Sequence, residues 1–288
     1  MLPDLHLTPF LLFLTILRFI LVSSVVLHIL LTKRNTASAI GWMGICVMMP
    51  ILGTALYLMF GINRVTRLAK KLVSMRATGR QEISKLSSWH HDLDGQFAPL
   101  ARMVGRLTAR PLVSGNSITI LHDGDGAYPH MLDAIENAQK SVLLCSYMCR
   151  DDTIGEEFVQ RLTQAHRRGV AVRVLVDGIG SGYFLSPLYH RLLREGVPCG
   201  RFMHSVWPWR MPFINLRNHR KILVVDGRVG FLGGLNIGDE NRVSCHPPHP
   251  VSDTHFKVEG PVVRQLAETA AWDWYFTTHE TLNDDLFC

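Results

Sequence analysis

No two of the six cysteines, Cys46, Cys145, Cys149, Cys199, Cys245 and Cys288, form a C-x-x-C pair or a spacing of the kind that builds secreted scaffolds. A disulfide framework is thereby excluded, and the six read as free thiols in a reducing compartment. Charge is scarce in the N-terminal part: residues 10–31 are interrupted by Arg18 and His28, and residues 37–60 carry no charge at all. Met1 to Thr8 contain no Lys or Arg and do contain Asp4, so the basic start of a cleaved signal peptide is missing. Each block has the roughly 20 residues that a membrane-crossing helix needs, and Thr32 to Thr36 leave room for a turn. The expectation is a transmembrane helical hairpin over 1–62, with spans at about 10–31 and 37–60 and both ends on one side.

Cofactor signatures are absent as well. Asp177-Gly178 ends an apolar run, but no G-x-x-x-x-G-K follows, so it reads as a turn. Asp123-Gly124-Asp125-Gly126 begins like a calcium loop, yet its twelfth position is Ala134 instead of Glu. Cys245, His246, His249 and His255 are irregularly spaced around Pro247-Pro248 and read as a loop, not as zinc ligands. No metal and no cofactor is expected.

What is present is apolar and basic: 47% hydrophobic residues, a mean hydropathy of +0.13, a net charge of +6 and a pI near 9.1. An anionic lipid surface or nucleic acid would both suit that charge. Lys33 and Arg34 sit between the apolar blocks, whereas Arg64, Arg67, Lys70, Lys71, Arg76 and Arg80 follow them. The larger count favours a cytoplasmic C-terminal domain and attraction to anionic headgroups. Residues 63–115 read as a basic juxtamembrane helix and linker. From residue 116 to 288 strand and helix patterns alternate: strands near 118–121, 142–147, 170–176 and 254–258, helices near 128–138, 155–168, 185–195 and 262–276. Alternation of this kind predicts an α/β layered domain. Trp207, Pro208, Trp209 and Arg210 form a loop that reads as local packing or as a place to bury a lipid or stack a base.

The most informative string is NHRKILVVDGRVGFLGGLN, residues 218–236. If 219–225 is a strand, His219 and Lys221 project from one face. Asp226-Gly227 supplies a hairpin turn, and the return strand ends in Gly233-Gly234, where backbone can approach a ligand, with Asn236 at the mouth. A neutral imidazole can attack phosphorus, an ammonium can hold a phosphoryl oxygen, and a carboxylate can orient either one.

The string H-x-K-x4-D-x6-G-[GS]-x-N resembles the HKD motif of the phospholipase D superfamily, and its Gly-Gly form is similar to that of bacterial cardiolipin synthases. The likeness extends from the N-terminal hairpin through Asp253-Thr254-His255 and Gly260-Pro261-Val262-Val263 to Asp273-Trp274-Tyr275-Phe276. It implies a phospholipase D-like α/β/α domain with a mixed sheet, working as a phosphatidyltransferase that joins two phosphatidylglycerols and releases glycerol. In that scheme His219 forms a phosphohistidine, Lys221 and Asn236 neutralise the phosphoryl oxygens with Gly233 and Gly234 in support, and Asp226 orients. The implied setting is the inner (plasma) membrane, multi-pass, with phosphatidylglycerol and anionic lipid as partners and nucleic acid disfavoured.

The family protonates its leaving group with the histidine of a second HKD motif, which this sequence does not contain. His255-Phe256-Lys257 is another H-x-K, but Val262 stands where Asp is needed, so it reads as an ordinary strand. The expectation is a chain truncated ahead of its second half, inactive alone unless that half is supplied in trans. The alternatives are a homodimeric membrane-tethered phosphodiesterase or nuclease, and a catalytically dead remnant.

Overall fold

A computed structural model of the chain describes residues 7–33, 35–62, 95–108, 110, 112–182, 184–204, 217–283 and 287. The basic run from Arg64 to Arg80, the Trp89 to Asp92 stretch and the Trp207 to Arg210 loop lie outside these residues. The molecule divides into an N-terminal helical unit and an α/β unit.

In the helical unit the first apolar block forms one helix, α1 (Leu7–Thr32), of which Leu11–Thr32 is long and apolar enough to cross a membrane. The second block departs from the expected single span over 37–60. Its first helix, α2 (Thr36–Met48), is capped by Asn35, whose Oδ1 accepts from the Ser38 amide at 2.9 Å. Helix α2 stops at Met49 (φ −128°, ψ 75°), and a second, shorter helix, α3 (Pro50–Leu56), runs on into a π-helical turn at Tyr57–Gly61. Pro50 explains the break: it has no N–H to donate, its ring would clash with the carbonyl four residues back, and it pushes the preceding residue out of the helical region. Beyond the break the backbone of Gly53 packs directly on α2, where a Cβ would lie 2.4 Å from the Ile45 carbonyl oxygen. At 1.5 Å per residue the 13 residues of α2 reach about 20 Å, short of a hydrocarbon core of about 30 Å. Val25, Ile29, Ala39, Cys46 and Tyr57 form the small core of this unit, and His28 Nδ1 bonds Tyr57 Oη at 2.8 Å.

The α/β unit begins with α4 (Ala98–Thr108), followed by β1 (Ser117–His122), α5 (Asp123–Glu136), β2 (Ser141–Ser146), α6 (Thr153–Arg167), β3 (Ala171–Asp177), α7 (Pro187–Arg194), β4 (Cys199–Phe202), β5 (Ile222–Val225), β6 (Val229–Gly233), β7 (Thr254–Glu259) and α8 (Val262–Thr278). The strands make one sheet in the order β1-β7-β6-β5-β2-β3-β4, with β2, β3 and β4 mutually parallel and the other pairs antiparallel. This is the expected α/β layering with a mixed sheet. All six positions of β2 are buried, as its continuous apolar run requires of a strand covered on both faces.

Helices α5, α6 and α7 cover one face, where Val142, Leu144, Phe158, Leu162, Leu223 and Phe231 pack together. Helix α8 covers the other with Val263, Ala267, Ala270 and Trp274, against Leu143, Cys145 and Val224. Helix α6 starts at Asp152, whose carboxylate accepts from the Gly155 amide at 3.0 Å, the usual satisfaction of an orphan donor at a helix start. Register places the end of β2, the start of β5, the end of β6 and the start of β7 at one end of the sheet: Cys145 pairs with Ile222, Ile222 with Leu232, and Gly233 with His255.

Candidate active site

Strand β5 begins at Ile222, so His219 and Lys221 lie in the extended segment that leads into it, not within the strand. The alternation nevertheless holds there. Asn218 and Arg220 turn towards α8, where Asn218 Nδ2 donates to the Asp273 carboxylate at 3.0 Å and Arg220 pairs with the same carboxylate. His219 and Lys221 turn the other way, and Lys221 Nζ lies 3.1 Å from His219 Nδ1 and 3.0 Å from the His219 carbonyl oxygen. The segment is further held by buried Asp177 at the end of β3, which accepts from the Asn218 amide at 2.9 Å and from the amides of Ile179 and Gly180 at 2.9 and 2.8 Å.

His219 is exposed, while Lys221 is buried. Tyr147, just past β2, forms a platform for both: its ring centroid is 4.2 Å from that of His219 and 5.1 Å from Lys221 Nζ. Burial holds the Lys221 ammonium below the usual lysine range, and the Asp253 carboxylate pulls it partly back. A charged lysine has only N–H to offer, so in this contact it donates and His219 Nδ1 accepts.

The glycine pair has a definite steric role. A Cβ on Gly233 would lie 2.5 Å from the Thr254 carbonyl oxygen and 2.6 Å from His255 Nδ1, and one on Gly234 would lie 2.1 Å from the Asp253 carboxylate. Their bare backbones let Asp253 and His255 close up to the end of β6. Gly233 pairs with His255, and Lys221 directly precedes Ile222, whose partner Leu232 directly precedes Gly233, so no side chain on β6 separates the lysine from the histidine. His255 is 1% exposed, and among the described residues neither ring nitrogen has a hydrogen-bond partner. Burial pushes its pKa down to about 4, Asp253 opposes that shift and Lys221 adds to it, so the ring is neutral near pH 7. Asp253 is fixed from behind, its amide donating to the Asp123 carboxylate at 2.9 Å.

Asn236 accepts from the Met148 amide through Oδ1 at 3.3 Å, which orients its side-chain amide beyond the end of β2. Asp226 is placed elsewhere. It occupies the turn at the opposite end of β5, at φ 54°, and its carboxylate accepts from the amides of Gln139, Lys140 and Ser141 at 3.0, 2.7 and 2.9 Å. The four residues of β5 alone separate it from Lys221 by about 13 Å. Asp226, expected as an orienting carboxylate, thus lies at the far end of β5 from His219, with its acceptor capacity taken up by the loop that enters β2.

Tyr147, Asp177, Asp253, His255 and Asp273 were not singled out as site residues from the sequence. The signal for Asp253 and His255 was indirect, because a Gly-Gly pair calls for something to fill the space its side chains vacate. Among the described residues no three His, Cys, Asp or Glu side chains are grouped to hold a metal ion.

A family profile described as cardiolipin synthase, PLD-like domain, matches residues 131–246, a stretch that includes His219 through Asn236. A second, described as phospholipase D-nuclease N-terminal, matches residues 20–61. The chain is 34% identical over 261 residues to the cardiolipin synthase of Alkalihalophilus pseudofirmus, a match covering 87% of this chain and 51% of that protein. It is 32% identical over 265 residues to cardiolipin synthase A of Pseudomonas aeruginosa, covering 88% and 53%. The chain thus spans about half the length of the curated relatives it matches. Among solved structures, Nuc of Salmonella typhimurium, a phospholipase D family member, aligns with 57% of this chain and 97% of its own at 18% identity and a TM-score of 0.45.

Proposed function

Because the chain belongs to the phospholipase D superfamily, with a PLD-like domain of the cardiolipin synthase kind, we propose that it supplies one half of a phosphatidyltransferase site joining two phosphatidylglycerols with release of glycerol. The observation that carries this reading is the exposed imidazole of His219 held 3.1 Å from the buried ammonium of Lys221.

A phosphodiester entering the site competes with His219 for the Lys221 ammonium. When that contact passes from ring to phosphoryl oxygen, the Nδ1 lone pair that accepted it is free beside the phosphorus. The lone pair forms the N–P bond while the bond from phosphorus to the glycerol oxygen breaks, and that oxygen takes a proton from an acid outside this half-site. In the second step the hydroxyl of another phosphatidylglycerol returns its proton to the same group and displaces His219. Lys221 and the side-chain amide of Asn236 stabilise the charge gathering on the non-bridging oxygens. The second acid comes from a second HKD half, supplied in trans or by a second copy of this chain. The apolar helix α1 holds the site at the inner membrane, and the basic residues from Arg64 to Arg80 favour a cytoplasmic site.

The test is incubation with phosphate-labelled phosphatidylglycerol, with and without a separately expressed second half. Label on the wild-type protein, its absence from His219→Gln, and cardiolipin in the complemented mixture are expected. No labelled histidine and no cardiolipin in either mixture would overturn the reading.

A further inference from the structure

The segment carrying α4 and β1 has an apolar surface that no other described part of the chain covers. Helix α4 has no buried residue, and Phe97, Leu100, Met103, Val104 and Leu107 are 64%, 52%, 54%, 45% and 75% exposed. At 100° per residue these five fall within an arc of about 120°, the width of a face made to be buried. Ala98, Ala101 and Gly105, which are less exposed, lie on another side, and Arg102 and Arg106 lie beyond them. From Phe97 to Arg110 there is no acidic residue. An 11-residue helix has little stability of its own in water, so a stripe this apolar needs a surface to form against.

The chain after α4 is pinned to α8: Arg110 pairs with Glu268 at 2.6 Å, and Asn116 Oδ1 accepts from the Val262 amide at 2.8 Å. Edge strand β1 then exposes Ile118 and Ile120, at 65% and 57%. These pair with Val258 and Phe256, so they lie on the sheet face that α8 covers farther in.

We propose that α4 is an in-plane membrane helix that docks on an anionic phospholipid surface, its apolar stripe among the acyl chains and Arg102 and Arg106 at the headgroup phosphates. Charge complementarity selects this occupant: the face away from the stripe carries two arginines, and no acidic residue lies between Phe97 and Arg110, the pattern that an anionic interface attracts and a cationic partner would not. The same chain carries in α1 an apolar helix of bilayer length. The proposal does not rest on the transferase reading, and its test reads lipid contact instead of activity.

The full chain is reconstituted in vesicles of phosphatidylglycerol and phosphatidylcholine, with a benzophenone amino acid replacing Leu100, Val104 or Leu107 in turn. The exposed turn residue Arg228 is replaced in the same way as a solvent baseline. Lipid adducts several-fold above the Arg228 baseline are expected at all three positions. They should fall by at least about thirtyfold in Arg102→Glu/Arg106→Glu, given roughly 1 kcal/mol for each of the two basic residues near such a surface, and likewise in vesicles of phosphatidylcholine alone. The α1 helix keeps every variant in the vesicle, so a loss reports on α4 itself. Adducts at baseline, adducts to protein instead of lipid, or lipid adducts indifferent to both charge tests would each overturn the proposal.

Discussion

Replacing Asp226 by Asn separates a structural carboxylate from a chemical one. In the folded chain one carboxylate oxygen accepts from Lys140 and Ser141 at 2.7 and 2.9 Å, and the other accepts from Gln139 at 3.0 Å. Asn tolerates the left-handed conformation at φ 54°, so the Asp226-Gly227 turn is kept. Its amide oxygen can retain the first two bonds without the benefit of charge, but its NH2 must then face the Gln139 N–H. The loss is one charge-assisted bond and the weakening of two others at a half-exposed site, about 2 kcal/mol. Asp226→Ala removes all three and costs more, about 4 kcal/mol. The assay is urea unfolding of the detergent-solubilised chain. With a slope of about 2 kcal/mol per molar urea, the Asn variant unfolds about 1 M earlier. Phosphorylation of His219, measured below the transition, should stay near the wild-type level. The reasoning is refuted if the unfolding midpoint does not move while His219 labelling disappears, since Asp226 would then act on the chemistry.

Three further outcomes concern the opposite end of the sheet, around His219. His255 has a folded pKa of about 4 against an ordinary value of 6.5, so between those pH values the unfolded chain binds a proton that the folded chain excludes. Stability should therefore be level above pH 6.5 and fall as pH drops towards 4, by up to about 3 kcal/mol; His255→Leu should flatten this slope in urea titrations, and an unchanged slope would count against it. Gly234→Ala places a methyl group 2.1 Å from the Asp253 carboxylate, so His219 labelling should drop at least about tenfold while circular dichroism keeps its α/β signature. Asp273→Ala frees Arg220 and Asn218; a rise in protease cleavage after residues 217 and 220 is expected, and wild-type resistance would remove Asp273 from its positioning role.

Much of the local order was legible because it follows from neighbours in the chain. The odd-even pattern from Asn218 to Lys221 put His219 and Lys221 on one side, and the structure adds what holds the other side: Asp273 on Asn218 and Arg220. The Asp226-Gly227 turn was evident from its dipeptide, but the destination of the Asp226 carboxylate was not. Its partners lie 85 to 87 residues earlier. In the second apolar block hydropathy counted residues without weighing Pro50, whose missing N–H breaks the helix that the composition would support.

The sequence by itself determined the family string, the apolar length of α1 and the alternation of strand and helix, since each is a property of spacing along the chain. Only the tertiary structure decided that Asp226 belongs to the far end of β5, and that Asp253 and His255 stand beside Lys221. Those facts depend on the order β5-β6-β7 in the sheet and on the space left by Gly233 and Gly234. Strand order is a long-range choice made by burial on two faces, and no local periodicity carries it.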